Sequence, residues 1–253
     1  MITVNNIYKS FDNIKIINDI STVFDKGKTN LIIGQSGSGK TVLMKCLLGL
    51  LDVDHGEILF DGKQFNKDNI STISNLRKKI GMVFQGSALF DSMTVLENII
   101  FPLRMFSDNT DSEMISRAKK VINRVDLKDV DNKFPSEISG GMKKRVAIAR
   151  AIVLNPKYLF CDEPNSGLDP NTAIIIDNLI KEITTEYNII TVINSHDMNS
   201  VMEIGDKIIF LKDGLKEWEG SKENIFKTDN TAVTDFVYSS KLYRKIRETF
   251  NKQ

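Results

Sequence analysis

The chain lacks several features that would assign it to a narrow class of protein. Nowhere in its 253 residues does an apolar run approach the roughly 20 residues needed to span a bilayer. The N-terminus has no basic region followed by an apolar stretch, so the sequence does not predict secretion. The net charge is only +1, so no overall positive field indicates a nucleic-acid partner. We therefore expect a cytosolic protein, or one held at a membrane only through a partner.

Cysteine is scarce, with only Cys46 and Cys161, both inside apolar stretches. Neither has a partner at the spacing of a metal site or a redox dithiol, so we expect two reduced thiols. Internal repeats and low-complexity tracts are absent too. The content of 41% hydrophobic and 26% charged residues is ordinary for a globular protein. A chain of this length is long enough for one large α/β domain, or for a core with an added lobe.

What is present is a succession of short apolar segments and amphipathic segments. The segments 2–8 and 14–24 are rich in β-branched residues and partly alternating, which is typical of antiparallel strands. From residue 158 strand and helix patterns alternate, which predicts a mainly parallel sheet covered by helices. Further strands are predicted over 29–33, 56–60, 80–84, 158–162, 189–193 and 207–211, and helices over 40–48, 95–103, 112–125, 139–153, 171–186 and 197–203.

These patterns divide the chain into three predicted parts. Residues 1–86 and 155–225 would form an α/β core, and residues 87–154, where helical patterns dominate, a helical insert. Residues 226–253 would form a C-terminal extension. From residue 241 this extension carries an excess of positive charge, and a frayed basic helix is the simplest structure for it.

The most informative segment is a glycine-rich loop between a predicted buried strand and a predicted helix. It fits the phosphate-loop pattern G-x-x-x-x-G-K-[ST], with the residues Gly34, Gln35, Ser36, Gly37, Ser38, Gly39, Lys40 and Thr41. Its glycines let backbone N–H groups turn toward a triphosphate, and the following helix directs its positive end there. Lys40 should reach the β- and γ-phosphates, the Thr41 hydroxyl should bind Mg²⁺, and Val42 should also lie in the nucleotide site.

A second candidate site lies at the end of the predicted strand 158–162. Asp162 and Glu163 follow four apolar residues. Asp162 is expected to hold Mg²⁺, directly or through water, and Glu163 to polarise a water for in-line attack on the γ-phosphate. An apolar run that ends in an acid is also a common strand end, so the pair alone does not prove catalysis.

A third segment has the features of another anion site. Ser139 is a good N-cap for the helix predicted from residue 139, and Gly140 and Gly141 expose backbone N–H groups beside its positive end. It lies far along the chain from the phosphate loop, and one phosphate tail does not need both sites within one subunit.

Taken together, these segments resemble the motifs of the ATP-binding-cassette (ABC) ATPases, over roughly residues 1–225 and in the order that the family shows. Residues 139–145 resemble the signature sequence and residues 166–169 the D-loop, which includes Asp169. The resemblance implies an ABC-type P-loop NTPase: an α/β fold with a mainly parallel core sheet, an N-terminal antiparallel β subdomain and a helical subdomain. It also implies ATP hydrolysis, with ATP and Mg²⁺ bound.

The same resemblance implies roles for three further residues. Gln85 matches the Q-loop glutamine, which senses Mg²⁺ and the attacking water and links the core to the helical lobe. His196 matches the switch histidine, which contacts the γ-phosphate. Phe11 matches the aromatic residue that stacks on adenine. Each also has a plain structural alternative: a surface glutamine, a helix-capping or surface histidine, and a core aromatic at a strand end.

The resemblance further implies a homodimer, because in this family the signature of one subunit closes over ATP held by the phosphate loop of the other. Ser139 and Gly141 would then act on the partner's nucleotide. The chain departs from the commonest signature, Leu-Ser-Gly-Gly-Gln, at Ile138 and Met142. A methionine cannot donate a hydrogen bond to ribose, so that single contact is in doubt.

Two strings, residues 139–150 and 90–99, resemble the ATPases of the Mla (maintenance of lipid asymmetry) system. This resemblance implies phospholipid transport with a membrane permease, an MCE (mammalian cell entry) protein and a small accessory protein, and a place at the inner face of the cell membrane. The apolar residues of the insert would form partly core and partly a groove for a permease helix. An alternative shares every motif: an ABC ATPase that regulates a membrane-bound cell-wall hydrolase and moves no solute. Neither reading includes a nucleic-acid partner.

Overall fold

The structure is a computed structural model that describes residues 1–64 and 70–239, with the side chains of all of these except residues 70–73. The basic tail from Lys241 lies outside the described residues. The strands are β1 (Ile2–Phe11), β2 (Ile14–Phe24), β3 (Thr29–Ile33), β4 (His55–Phe60), β5 (Lys63–Gln64), β6 (Ile80–Val83), β7 (Tyr158–Asp162), β8 (Ile190–Ser195), β9 (Lys207–Lys212) and β10 (Leu215–Gly220). The α-helices are α1 (Lys40–Leu47), α2 (Ile70–Arg77), α3 (Val95–Phe106), α4 (Asp111–Arg124), α5 (Gly140–Ile152), α6 (Pro170–Glu186), α7 (Met198–Ile204) and α8 (Thr231–Val237).

The N-terminal sheet is antiparallel throughout, with the order β2-β1-β4-β5. Strand β1 runs to Phe11, three residues beyond its predicted end. The reason is the tight turn at Asp12 and Asn13, which both have positive φ, at 47° and 64°. A two-residue turn with φ positive at both positions matches the twist of a hairpin, so pairing continues up to it. The turn leaves Phe11 at the tip of the hairpin.

The core sheet has the order β10-β9-β3-β8-β7-β6, and it is parallel except for β10. All five residues of β3 are buried, as are the first four of β7. Strands covered on both faces show such continuous apolar runs, which is why the sequence located both to the residue. The phosphate loop, Glu163 and His196 follow β3, β7 and β8. Because these three strands are parallel neighbours, their carboxyl ends meet at one edge of the sheet.

The helices α3, α4 and α5 pack on one another, and α5 also packs on β6. Thr94 and Glu97 form a capping box at the start of α3, and Thr110 and Glu113 form one at the start of α4. Helix α3 continues past its predicted end at Leu103 to Phe106, because the Ser107 N–H still donates to the Leu103 carbonyl. All three helices fall within the predicted insert of residues 87–154, whose boundaries remain a prediction.

Four of these strands and α-helices were not predicted: β5, α2, β10 and α8. Strand β10 pairs with β9 through a turn at Asp213 and Gly214, both with positive φ. Helix α8 is only seven residues long; Asn230 caps it, and Val233 and Val237 anchor it in the core. Short elements with few apolar residues have weak periodicity, which is why the sequence pattern missed them.

Both cysteines are buried and neither forms a disulfide, as expected for reduced thiols. Burial raises the pKa of the Cys161 thiol well above its usual range, and the nearby carboxylates of Asp177 and Asp162 raise it further. Within the described part of the chain, no helix has both the length and the apolar character to cross a bilayer.

Candidate functional site

The phosphate loop leaves β3 at Gly34 and enters α1 at Lys40, with glycine where backbones approach most closely. A Cβ on Gly34, whose φ is +151°, would lie 2.2 Å from the Leu211 carbonyl oxygen. A Cβ on Gly39, with φ +101°, would lie 2.9 Å from the Ile16 carbonyl oxygen. No other residue fits at these two positions without moving the backbone. The glycine pattern is therefore required by the packing of the loop against β9 and β2.

Lys40 lies at the centre of this loop, with only 8% of the residue exposed. Its Nζ donates to the carbonyl oxygens of Gly34 at 2.7 Å and Gln35 at 2.9 Å. Burial lowers the pKa of this lysine, while the negative charges of Glu163 and Asp162 act to raise it. An ammonium group has three donors, so these two bonds still allow a third to a phosphate oxygen.

Asp162 ends β7 beside the loop. The amide of Asn194 on β8 donates to Asp162 Oδ1 at 3.0 Å and so fixes the carboxylate. Sequence reasoning missed Asn194, although it directly follows the strand predicted over 189–193, and a polar residue at that strand end was the available signal. Asn194 is fully buried and its own Oδ1 has no hydrogen-bond partner among the described residues.

Glu163 contacts two of the other predicted catalytic residues, His196 and Gln85. Its Oε1 lies 2.9 Å from His196 Nδ1, and its Oε2 accepts from Gln85 Nε2 at 3.2 Å. The backbone of Glu163 has φ +46°, a conformation that non-glycine residues rarely adopt. Its N–H donates to the Asn194 carbonyl at 3.0 Å, which holds that conformation. Strained backbone of this kind clusters at functional sites, where it aims a side chain.

Lys144, on α5, was not singled out from the sequence, yet it contacts the Q-loop directly. It is 5% exposed, and its Nζ donates to the Gln85 carbonyl oxygen. Burial lowers the pKa of Lys144, and the nearby Cys161 and Glu163 act to raise it. The helix that begins with the signature is thereby attached to the segment that carries Gln85.

Replacing Lys144 by Met should slow ATP hydrolysis about tenfold, because Gln85 would lose the donor that fixes its backbone and small misplacements at a reacting site are costly. The thioether chain keeps most of the buried apolar stem. Steady-state phosphate release measures the effect, and Lys143→Met, which changes the adjacent and less buried lysine, is the matched control. Equal rates for the two variants would show that the Lys144 contact is irrelevant to the reaction.

One cleft of about 910 Å³ collects most of the predicted site residues. It is lined by Phe11, Ile16, Gln35, Ser36, Gly37, Gly39, Lys40, Thr41, Val42, Gln85, Glu163, His196 and Phe236. Phe11 is 41% exposed and presents its ring to the cleft, with Lys9 Nζ 5.4 Å from the ring centroid. Phe236 comes from α8, a segment to which sequence reasoning gave no nucleotide contact.

Seven predicted site residues do not line this cleft. Gly34 and Ser38 belong to the phosphate loop and Asp162 ends β7 beside it, whereas the other four lie elsewhere: Ser139, Gly140, Gly141 and Asp169. Ser139 caps α5, and its hydroxyl accepts from the Met142 N–H. A Cβ on Gly141 would lie 2.7 Å from Thr172 Cγ2, so the signature sits against the start of α6. Asp169 is the N-cap of α6, and its hydrogen bonds to the Thr172 side chain and backbone, with one to the Asn171 N–H, lower its pKa. Its predicted nucleotide contact remains a prediction.

The residues of the cleft, together with Ser38 and Asp162 beside it, fit a magnesium nucleotide. The buried Ser38 hydroxyl, inside the phosphate loop, has no hydrogen-bond partner among the described residues. Thr41, Asp162 and Gln85 offer hydroxyl, carboxylate and amide oxygens, the hard donors that Mg²⁺ prefers. The described residues contain no cluster of three or more His, Cys, Asp or Glu that could hold a metal alone.

Comparison with known proteins gives a consistent result. The ABC transporter family profile matches residues 17–166. The methionine import ATP-binding protein MetN of Clostridium acetobutylicum is 36% identical over 240 residues, which cover 95% of this chain and 75% of that protein. The probable ribonucleotide transport ATP-binding protein mkl of Mycobacterium tuberculosis H37Rv is 34% identical, over 93% of this chain and 66% of that protein.

Solved structures agree with the sequence relatives. The dimeric structure of MJ0796, a bacterial ABC transporter cassette, has a TM-score of 0.79 and 31% identity, and covers 87% of this chain and 98% of its own. The structure of cbiO1 from Clostridium perfringens, part of an ABC transporter complex, has a TM-score of 0.84 and 27% identity, and covers 97% of this chain and 98% of its own. The predicted fold class is therefore confirmed. The chain belongs to the ABC transporter family and is an ATP-binding cassette with the P-loop NTPase fold, an ATPase that uses ATP and Mg²⁺.

Proposed function

We propose that the chain is the ATP-hydrolysing subunit of an ABC transporter, in which two copies assemble head to tail and drive a separate membrane permease. The observation that carries this proposal is the cleft that unites the phosphate loop with Gln85, Glu163 and His196. In this cleft Lys40 neutralises phosphate charge, and Glu163 accepts a proton from the attacking water. Thr41 and Gln85, with Asp162 beside the cleft, hold Mg²⁺. His196 steadies the γ-phosphate, and Phe11 stacks on the base.

The dimer is supported by the position of the signature. Ser139 and Gly140 are exposed and lie outside the cleft, so they can face another molecule. The N-terminus of a helix favours the binding of anions. The anion that we expect at the N-terminus of α5 is a phosphate group of the ATP held in the cleft of a second copy. A bacterial cassette with 31% identity was solved as a dimer.

The permease partner is supported by a groove between the core and the helical insert. The groove has a volume of about 450 Å³ and is lined by Ile80, Gly81, Met82, Phe84, Ala88, Phe90, Phe101, Pro102, Phe106, Arg150, Ala151 and Leu154. Phe84 and Phe90 are 42% and 40% exposed. The Arg150 guanidinium donates to the carbonyl oxygens of Ser87 and Ala88, so the segment after Gln85 forms a fixed wall of the groove. An amphipathic helix of a permease fits such a groove, and this assembly would hold the chain at the inner face of the cell membrane.

Phospholipid is the substrate that we propose, from the resemblance of residues 139–150 and 90–99 to the Mla ATPases, with an MCE protein and a small accessory protein as further partners. Methionine is the second candidate, because MetN shares 36% identity over 95% of the chain. The relatives named above are described as methionine and ribonucleotide transport proteins, and none of those names supports lipid. The ATP cleft does not distinguish these substrates, since a permease would bind them.

The test is to purify the chain with its permease from native membranes and to reconstitute the complex in liposomes. We expect ATP turnover that rises with phospholipid transfer and disappears in Lys40→Ala. Transport of labelled methionine without lipid transfer would replace the lipid proposal with amino-acid import. If the chain purifies instead with a cell-wall hydrolase and no permease, the transporter proposal fails and the regulatory alternative takes its place.

A further inference from the structure

A buried cluster of polar residues lies outside the ATP cleft. Asp177, on α6, is 3% exposed, and its Oδ1 has no hydrogen-bond partner among the described residues. Its Oδ2 accepts from Asn165 Nδ2 at 3.2 Å, and the Ser200 side chain also bonds this carboxyl. The Asn165 amide in turn reaches Ser200 Oγ at 2.7 Å. The side chains of Asn165 and Ser200, which come from separate segments, thus share one buried carboxylate.

These segments carry the groups proposed for hydrolysis. Asn165 follows Glu163 by two residues, and Ser200, in α7, follows His196 by four. The Glu163–His196 contact of 2.9 Å joins the same two segments at the cleft. Through Asn165 and Ser200, Asp177 therefore links the segment that carries Glu163 to the segment that carries His196. The separation of these two segments sets the distance between Glu163 and His196.

The buried carboxylate of Asp177 lowers the stability of the folded state, which argues against a merely structural role. Burial raises its pKa from 3.8 to about 6, and the charges of Asp197 and Glu203 near α7 raise it further, whereas the bonds from Ser200 and Asn165 lower it. From β7, Cys161 is the other titratable group close to it. A buried carboxylate with one oxygen unpaired is penalised, and an apolar side chain of similar size would fill the space at lower cost.

We propose that Asp177 is a positioning residue for ATP hydrolysis: through Asn165 and Ser200 it sets the position of Glu163 relative to His196. The inference rests on the roles proposed above for those two residues. The ionised carboxylate is the better acceptor for the Asn165 amide and the Ser200 hydroxyl, so the cluster is tightest when Asp177 is charged.

The test compares Asp177→Leu and Asp177→Asn in the purified full chain. For Asp177→Leu we expect kcat to fall about tenfold with KM for ATP nearly unchanged, because the change shifts reacting groups and leaves the phosphate loop intact. Asp177→Asn keeps one acceptor oxygen but no charge, so its kcat should fall about threefold at pH 7.5, less than that of Asp177→Leu. It does not titrate, so the ratio of wild-type kcat to Asp177→Asn kcat should fall toward one as the pH drops below about 6.

Thermal unfolding separates positioning from folding. The folded-state pKa of Asp177 lies above its unfolded value, so the native state loses stability as the pH rises from 3.8 to about 6 and does not regain it above that. Asp177→Leu should therefore melt no lower than wild type at pH 7.5. Thr184→Val, which changes another buried polar residue of α6, is the matched control and should leave kcat unchanged.

The proposal is overturned if Asp177→Leu folds and keeps the wild-type kcat, or if the kcat ratio for Asp177→Asn does not vary with pH. Should Asp177→Leu fail to fold, the pH profile of Asp177→Asn decides alone. Glu163→Gln is measured beside them. If Glu163→Gln still hydrolyses ATP, the underlying assignment of Glu163 fails. If Glu163→Gln loses ATP hydrolysis while the Asp177 variants keep the wild-type kcat, only the positioning role of Asp177 is removed.

Discussion

Replacing Glu163 by Gln is expected to slow ATP hydrolysis at least about 100-fold, the contribution typical of a positioned general base. The amide has the length and shape of the carboxylate, and its oxygen can still accept from Gln85 Nε2, which lies 3.2 Å from Glu163 Oε2 in the wild type. What it cannot do is take a proton from water. The loss should therefore fall on the chemical step and leave the binding of ATP in place.

Single-turnover hydrolysis and equilibrium ATP binding measure the two parts separately. We expect the ATP dissociation constant to change little and an ATP-loaded dimer to accumulate, visible as a larger species in size-exclusion chromatography. Glu182→Gln, an exposed glutamate on α6 paired with Arg124, is the matched control and should hydrolyse ATP at the wild-type rate. Rapid turnover by Glu163→Gln would assign the base to another group.

The sequence was sufficient for the parts of the fold in which one physical signal dominates. Strands β3 and β7 are almost continuously apolar and were located to the residue. The phosphate loop was recognised from its glycine pattern, and close backbone approach is the physical reason why that pattern is required. The end of β1 was missed because it depends on a turn at Asp12 and Asn13, whose backbone conformation decides how far the hairpin pairs.

For the site, the sequence indicated which residues belong together but not how they touch. The contacts of Glu163 with His196 and of Lys144 with Gln85 span 33 and 59 positions, and no local pattern encodes such pairs. Asp177 offered a signal that was overlooked: it is a charged residue on a mainly apolar helix face, beside Ile176 and Ile180. A carboxylate on the apolar face of a predicted helix indicates a buried polar contact, although not its partners.

The position of the signature outside the cleft leads to the second large effect: two inactive variants should restore each other. Lys40→Ala disables the phosphate loop. Gly140→Asp places a carboxylate where the partner's phosphates would approach, and the fold tolerates it, because a Cβ at Gly140 meets only Leu168 Cδ2, at 3.7 Å. In a head-to-tail dimer each variant alone has two defective sites. A mixed dimer has one site with both defects and one that is intact.

An equal mixture of the two variants, unfolded and refolded together or co-expressed, should therefore recover about a quarter of the wild-type ATPase rate if pairing is random and the sites act independently. The control is a mixture of wild type with the double variant Lys40→Ala/Gly140→Asp, whose mixed dimers have one defect in each site and should add no activity. If each subunit used its own signature, the outcomes would reverse: the two single variants would stay inactive together, and mixed dimers of the control would be half active. The comparison of these two mixtures thus determines whether Ser139, Gly140 and Gly141 serve the chain that carries them or its partner.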